Sequence, residues 1–238
     1  MTRHEKISYA KENFGAYMGF PAGVFEQGKN VFLEGNNCFF EIVHFGENAV
    51  IRANIAILDW CVENFSDVPG NEIMDGEHLC ALTMKLREHG KELSGQDLCF
   101  LHLEDSGNLK EPVGFELEIY ENDRLAELYE DNRFPNALNY DSREEVLAIV
   151  ARKNGEIVAM TACDDYYKTF RQIGIDTLAK YRGKGLAAFL VKKIALEIES
   201  RGQVPLYATW GANIASVRTA LAAGFSPVWV WYYAVDAD

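Results

Sequence analysis

Hydrophobic and polar residues alternate with two different periods in the second half of the chain, which predicts strands interrupted by helices. The segment 115–120 alternates as a half-buried strand. Within 145–165, two apolar runs are joined by Asn154-Gly155, a pair typical of hairpin turns because both residues take positive φ angles there. The predicted elements are a strand at 115–120, a short helix at 122–131, the hairpin at 145–165, a strand at 170–178, a long amphipathic helix at 183–202, a strand at 203–210, a helix at 212–224 and a strand at 225–235. Three adjacent strands followed by helical crossovers predict a mixed sheet, antiparallel first and parallel later.

The first half of the chain also mixes strand and helix patterns. Strands are predicted at 38–46, 49–54 and 97–104, and helices at 54–65 and 76–90. The polar stretch 105–112 contains Gly and Pro and is the best boundary between the two halves. The sequence therefore predicts an α/β fold of the α+β type in two domains: an N-terminal α/β domain at 1–110, and a mixed central sheet flanked by helices at 111–238.

Composition favours a soluble, cytoplasmic protein with no membrane partner. Hydrophobic residues make up 48% of the 238 positions. No apolar run reaches the roughly 18 to 20 residues that a membrane span needs. The N-terminus also lacks the apolar segment of a signal peptide.

The cysteines and histidines predict no metal site. Five cysteines, an odd number, lie far apart in apolar stretches, so we expect reduced core residues: Cys38, Cys61, Cys80, Cys99 and Cys163. The sequence contains no C-x-x-C pair and no H-E-x-x-H helix, and its five histidines are scattered.

Charge is distributed unevenly along the chain. The formal net charge of −13 disfavours nucleic acid as a partner. Residues 1–110 carry 9 basic and 17 acidic groups, and residues 111–167 carry 5 and 14. Residues 168–218 reverse the sign, with nine basic groups against three acidic ones. An anionic ligand would suit this basic segment, although lysines on the solvent side of a helix would produce the same count.

The segment Tyr-Arg-Gly-Lys-Gly-Leu-Ala at 181–187 joins a predicted strand to the long helix through a loop with two glycines. Amides at a helix start are unpaired and carry the positive end of the helix dipole, so they can hold a diphosphate. Gly183 and Gly185 let the backbone approach a ligand closely. The loop matches neither the P-loop nor the G-x-G-x-x-G dinucleotide fingerprint, because Lys184 is followed by Gly and the third glycine position is Ala188. A glycine-rich helix start without a ligand is the alternative.

Two motifs in this region resemble those of the GNAT superfamily of N-acetyltransferases. The family's acetyl-CoA loop, Q/R-x-x-G-x-G/A after the fourth strand, is matched by Arg182, Gly185 and Ala187. Its second mark, an Asn at the start of a helix that ends in Gly-Phe, is matched by Asn213 and by Gly224-Phe225. The resemblance covers residues 113–238 and implies acetyl-CoA as the co-substrate, an amine as the acceptor, and no metal.

The resemblance also implies which residues would bind acetyl-CoA. The backbone of the fourth strand would pair with the pantetheine arm, the loop amides would hold the pyrophosphate, and the asparagine would lie near the thioester end. The implied binding residues are Ile175, Asp176, Thr177, Arg182, Gly183, Lys184, Gly185, Leu186, Ala187, Ala188 and Asn213.

The general acid and base do not carry over from the family. The helix position that often holds a tyrosine acid is Ala220, and the strand start where some members keep a glutamate reads Arg171-Gln172. The main catalytic candidates are Asp176, Ser216 and Tyr207; Asp164, Asp165, Tyr232 and Tyr233 are further candidates. Each also has a purely structural interpretation, as a buried hydrogen-bonding group, a helix-surface hydroxyl or a sheet-packing ring.

No motif identifies the acceptor. The acidic segments 1–110 and 111–167 favour a cationic amine as the acceptor, whether a small molecule or a peptide. The N-terminal domain would form one wall of the acceptor pocket, a homodimer contact, or a degenerate second copy of the fold. The alternative functions are an acyl-CoA sensor without turnover, and an interaction module centred on the N-terminal domain.

Overall fold

The structure, a computed structural model, describes residues 1–35, 37–94, 96–104, 109–165 and 167–237. The chain forms two compact units. The first unit comprises Met1–Lys6, Phe100–Ala208 and Asn213–Ser226, and the second comprises Ile7–Cys99, Thr209–Ala212 and Pro227–Asp238. The functional division into domains 1–110 and 111–238 stays a prediction.

The described residues form strands, α-helices and short 3₁₀ helices. The strands are β1 Val31–Glu34, β2 Phe40–His44, β3 Ala49–Ala53, β4 Lys91–Leu93, β5 Asp97–His102, β6 Glu116–Glu121, β7 Glu145–Lys153, β8 Glu156–Asp164, β9 Phe170–Thr177, β10 Val204–Thr209 and β11 Phe225–Asp236. The α-helices are α1 Arg3–Tyr17, α2 Ile55–Phe65, α3 Gly76–Arg87, α4 Leu186–Ser200 and α5 Ile214–Ala222. Short 3₁₀ helices lie at Val24–Glu26, Asn122–Glu130 and Ala179–Tyr181.

In the first unit, β10, β9, β8, β7 and β6 lie side by side in this order with mixed pairing. Strands β6 to β9 pair antiparallel, and β9 pairs parallel with β10. The turn between β7 and β8 has φ angles of 53° at Asn154 and 80° at Gly155, as the dipeptide predicts. The mixed sheet with its flanking helices confirms the predicted fold class.

Helix α4 packs one face against β7, β8 and β9. Its buried apolar residues recur every three or four positions: Leu190, Val191, Ile194, Ala195 and Ile198. Other core residues of the unit include Leu128, Phe134, Val150 and Met160, which join the 3₁₀ helix at Asn122–Glu130 to the sheet. Burial of these side chains gives the sheet rigid support near the candidate site.

In the second unit, β1, β3, β2 and β11 lie side by side with mixed pairing, and β4 pairs with β11. Helices α2 and α3 cover these strands through a core that includes Phe40, Ile51, Ile57, Phe65 and Leu82. Asn54 caps α2 by accepting a hydrogen bond from the Ala56 amide at 3.0 Å.

Helix α1 is not predicted by the sequence pattern. It buries only Ala10, Phe14 and Gly15, so its apolar residues form no continuous stripe along the chain. The predicted helix at 122–131 winds instead as a 3₁₀ helix, and its end closes through a bond from the Asp131 amide to the Leu128 carbonyl at 3.2 Å.

The cysteines are all free thiols, but not all of them lie in the core. Cys61, Cys99 and Cys163 are buried as expected, whereas Cys80 is exposed and Cys38 is half-buried. Cys80 differs because the face of α3 that carries Leu82 and Leu86 is the buried one. Burial raises the pKa of Cys61 and of Cys163 to about 12, so both thiols stay protonated at neutral pH.

None of the described helices is both long enough and apolar enough to cross a bilayer. In the same residues, no three His, Cys, Asp or Glu side chains cluster in a way that could hold a metal ion.

Gly174 on β9 lies close to the backbone of Asn136 and provides a test of this contact. A Cβ at this position would lie 2.0 Å from the Asn136 carbonyl oxygen, a distance that backbone atoms cannot accommodate without moving. We expect Gly174→Ala to lower the free energy of unfolding by about 1 to 3 kcal/mol or more, measured by denaturant titration. Gly28→Ala is the control, because nothing lies within 4 Å of its Cβ. Equal stability of the two variants would contradict this contact.

Candidate functional site

The loop between β9 and α4 contains two glycines that allow the chain to turn. Gly183 and Gly185 have φ angles of 72° and 79°, in the left-handed region that side chains with a Cβ rarely adopt. A Cβ at either position would meet nothing within 4 Å, so conformation and not crowding requires glycine. The backbone of this loop is exposed from Arg182 to Gly185.

The first turn of α4 leaves its amides available. The earliest hydrogen bond of the helix runs from the Phe189 amide to the Gly185 carbonyl at 3.0 Å. The amides of Leu186, Ala187 and Ala188 therefore have no helical acceptor, and no acceptor among the described residues pairs with them. Together with the helix dipole, these amides form a positive site that suits an anion.

The basic side chains of the loop also have structural contacts. Arg182 donates from Nε to the Thr177 carbonyl at 2.8 Å, which ties the loop to the end of β9. Lys184 Nζ lies 5.8 Å from the centre of the Tyr181 ring and 3.4 Å from the Lys180 carbonyl oxygen. Arg182 therefore fixes the loop conformation, a contact that the motif alone did not predict.

Strand β9 is paired unequally along its two edges. On one side it pairs with β8 as far as Thr177. On the other it pairs with β10 only from Phe170 to Gln172, opposite Val204 to Leu206. All residues of both strands are described. Past Gln172 and Leu206, β9 and β10 no longer pair with each other, and no described strand lies between them. An extended ligand could hydrogen-bond to an edge of this kind.

Asp176 is bound to the loop that covers β9. Its carboxylate accepts hydrogen bonds from the Asn136 amide at 2.6 Å, from Asn136 Nδ2 at 2.7 Å and from the Ala137 amide at 3.2 Å. The residue is 9% exposed. Both oxygens thus have donors already, which is typical of a structural carboxylate. No sequence motif indicated Asn136, because the contact joins residues 40 positions apart.

Tyr207, Ser216 and Asn213 lie together in one hydrogen-bonded chain. The hydroxyl oxygens of Tyr207 and Ser216 are 2.7 Å apart, and the Ser216 amide donates to Asn213 Oδ1 at 3.2 Å as the cap of α5. The Tyr207 ring is buried against Phe100 and Phe225. Burial raises the pKa of Tyr207, so its hydroxyl keeps its proton at neutral pH.

The other catalytic candidates lie elsewhere. Asp164 ends β8 opposite Glu145, and Asp165 is exposed in the loop that follows. Tyr232 and Tyr233 belong to the second unit, where β11 pairs them with Ile42 and Glu41. Of the three main candidates, Tyr207 and Ser216 contact each other, and Asp176 contacts the covering loop instead.

Comparison with known proteins identifies a family. A model described as GNAT acetyltransferase matches residues 106–231, more than half of the chain. A search of curated proteins found no match.

Several solved structures are similar at low sequence identity. A GCN5-related N-acetyltransferase from Kribbella flavida is 19% identical, with a TM-score of 0.49 over 66% of this chain and 64% of that one. An acetyltransferase of the GNAT family, described as putative, from Novosphingobium aromaticivorans is 19% identical, with a TM-score of 0.47 over 63% of this chain and 68% of that one. A Drosophila protein is 14% identical, with a TM-score of 0.48 over 99% of this chain and 91% of that one.

Asp176→Asn tests whether this carboxylate is structural. The amide would place a donor against the donors of Asn136 and Ala137, so we expect a loss of about 1 to 3 kcal/mol in the free energy of unfolding. Asp165→Asn, at an exposed position, is the matched control and should leave stability unchanged. Denaturant titration of both variants makes the comparison. An Asp176→Asn variant as stable as the wild type would exclude the structural role.

Proposed function

Because the chain belongs to the GNAT acetyltransferase family, we propose that it transfers the acetyl group of acetyl-CoA directly to a primary amine. The observation that carries the proposal is the exposed glycine loop whose helix begins with three unpaired amides. This loop lies within the residues that the family model matches. It supplies positive charge in a protein whose net charge is −13.

Acetyl-CoA would bind in two stretches. The amides from Gly183 to Ala188 would hold the pyrophosphate, with Lys184 adding charge at the loop. The pantetheine arm would then pair as an extra strand with Ile175–Thr177, whose edge toward β10 is unpaired. Asn213 uses Oδ1 as the cap of α5, so its Nδ2 would donate to the pantetheine.

The reaction needs a proton donor for the leaving thiolate. The amine attacks the thioester carbonyl, a C–N bond forms, and the C–S bond then breaks to release the CoA thiolate. We assign the proton donation to the Tyr207–Ser216 pair, whose hydroxyls are 2.7 Å apart and whose tyrosine stays protonated. Water would remove the proton that the amine loses, since holding the amine beside the thioester supplies much of the rate.

Asp176 has a positioning role in this proposal. Its carboxylate holds Asn136 and Ala137 against β9, next to the strand edge that would bind the pantetheine. It is therefore not assigned as the general base, although the sequence analysis included it among the catalytic candidates. The covering loop would form part of the acceptor wall.

The acceptor is proposed to be a cationic amine. Residues 111–167, which include the covering loop, carry 5 basic and 14 acidic groups. An acidic surface attracts a cationic substrate and raises its association rate. Binding of acyl-CoA without turnover is the second candidate function, favoured by Ala220 at the position where many family members hold a tyrosine.

Gly185→Asp tests the pyrophosphate site. The substitution places a carboxylate beside the unpaired amides, so we expect isothermal titration to show a loss of acetyl-CoA affinity of about 100-fold or more. Gly155→Asp is the matched control: its φ of 80° resembles the 79° of Gly185, and both positions are open. Both variants carry the same backbone strain and added charge. Equal acetyl-CoA binding by the two variants would exclude the loop as the phosphate site.

Tyr207→Phe tests the proton donor. Phenylalanine keeps the packing against Phe100 and Phe225 but removes the hydroxyl, so we expect kcat to fall about 100-fold with little change in the KM for acetyl-CoA. Thiol release from acetyl-CoA with a pool of amines provides the assay. Ser216→Ala should produce a similar loss if the two hydroxyls act as a pair. An unchanged kcat in Tyr207→Phe would reject the assignment, whereas binding without release in the wild type would support the sensor.

A further inference from the structure

Helix α4 presents a second face that the sheet does not use. Phe189, Lys193 and Leu196 recur every three or four residues on this face, and Leu196 is 48% exposed. The face lines a cavity of about 650 Å³ within the first unit. From Phe189 to Glu199 the helix rises about 15 Å, so the cavity runs along most of α4. Its volume falls within the range of small-molecule sites.

Part of the cavity lining is a polar network of Lys6, His102 and Glu199. Lys6 donates to Glu199 Oε1 at 2.5 Å and to the His102 carbonyl at 2.6 Å, and His102 Nδ1 lies 3.1 Å from the same Glu199 oxygen. The side chains of Lys6 and His102 are only 15% and 7% exposed. Burial alone would raise the pKa of Glu199, but its bonds to His102 and Lys6 outweigh that effect and lower it. The carboxylate therefore stays ionised and the network keeps its geometry at neutral pH.

The remaining charge around the cavity is positive. Lys6 is neutralised by Glu199, and Glu104 has Arg3 as a partner at 3.7 Å. Lys193 makes no ion pair or hydrogen bond with any residue that the structure describes. A cationic cavity is unusual in a chain with a net charge of −13, and it favours an anion.

Part of the cavity lining is apolar. Leu103, Leu109, Phe189 and Leu196 line it beside the lysines. An inorganic anion would leave these side chains in water, whereas an amphipathic anion would cover them and still pair with Lys193.

We propose that this cavity binds an amphipathic monocarboxylate, with its chain against the leucines and Phe189 and its carboxylate at Lys193. None of the cavity's lining residues belongs to the acetyl-CoA loop at 181–188, and the first lining residue on α4 is Phe189. The proposal does not depend on acetyl transfer.

Octanoate, used below its micellar concentration, is the probe for this site, and octylammonium is its matched cation. We expect isothermal titration of the full chain to show binding of octanoate and at least about tenfold weaker binding of octylammonium. Saturating acetyl-CoA should leave an octanoate binding site available. Absence of octanoate binding, equal binding of the two probes, or displacement of octanoate by acetyl-CoA would overturn the proposal.

Leu196→Glu and Leu221→Glu locate the site. The two leucines are 48% and 52% exposed on α4 and α5, so the same change is tolerated equally at each, and only Leu196 lines the cavity. We expect Leu196→Glu to weaken octanoate binding about tenfold or more through charge repulsion, and Leu221→Glu to leave it unchanged. Acetyl-CoA titration of both variants, expected to match the wild type, verifies folding. Equal octanoate affinity of the two variants would place the binding elsewhere and overturn the proposal.

Discussion

The candidate site depends on the unequal pairing of β9. This strand is hydrogen-bonded to β8 as far as Thr177, but its bonds to β10 stop after Gln172. A strand edge without a partner usually invites aggregation, so it persists where something else covers it. Here the Asn136–Ala137 loop covers one face through Asp176, and we infer that a ligand completes the free edge.

In the proposed function, the glycine loop and the chain of Tyr207, Ser216 and Asn213 have two separate roles. Positive φ angles at Gly183 and Gly185 let the backbone turn into α4 while its first amides stay unpaired, which is the requirement for holding a phosphate. The Tyr207–Ser216–Asn213 chain is instead built by burial, which keeps the phenol protonated and aligns the two hydroxyls. Asn213 has two functions in this proposal. Its Oδ1 caps the start of α5, and its Nδ2 would donate a hydrogen bond to the ligand.

Two carboxylates, those of Asp176 and Glu199, hold together parts of the chain that are far apart in sequence. Asp176 satisfies donors 39 and 40 residues earlier in the chain, and Glu199 joins Lys6 to His102 across even longer separations. Breaking such a group leaves its partners unsatisfied, so these contacts are strong constraints on the fold. Titratable residues chosen from sequence alone therefore include structural groups as well as candidate catalysts.

The sequence by itself determined the element order of residues 115–235, the hairpin at Asn154-Gly155 and the family motifs, because these depend on local spacing and on conformations that few residues adopt. It also indicated the loop at Gly183 and Gly185, since glycine is required there for conformational reasons. The sequence did not indicate helix α1, because only a few of its residues are buried and they form no periodic stripe. Only the tertiary structure decided that Asp176 bonds to Asn136, that Tyr207 meets Ser216, and that Lys6 reaches Glu199. These pairs are joined by folding and not by chain proximity, so no local pattern in the sequence could specify them.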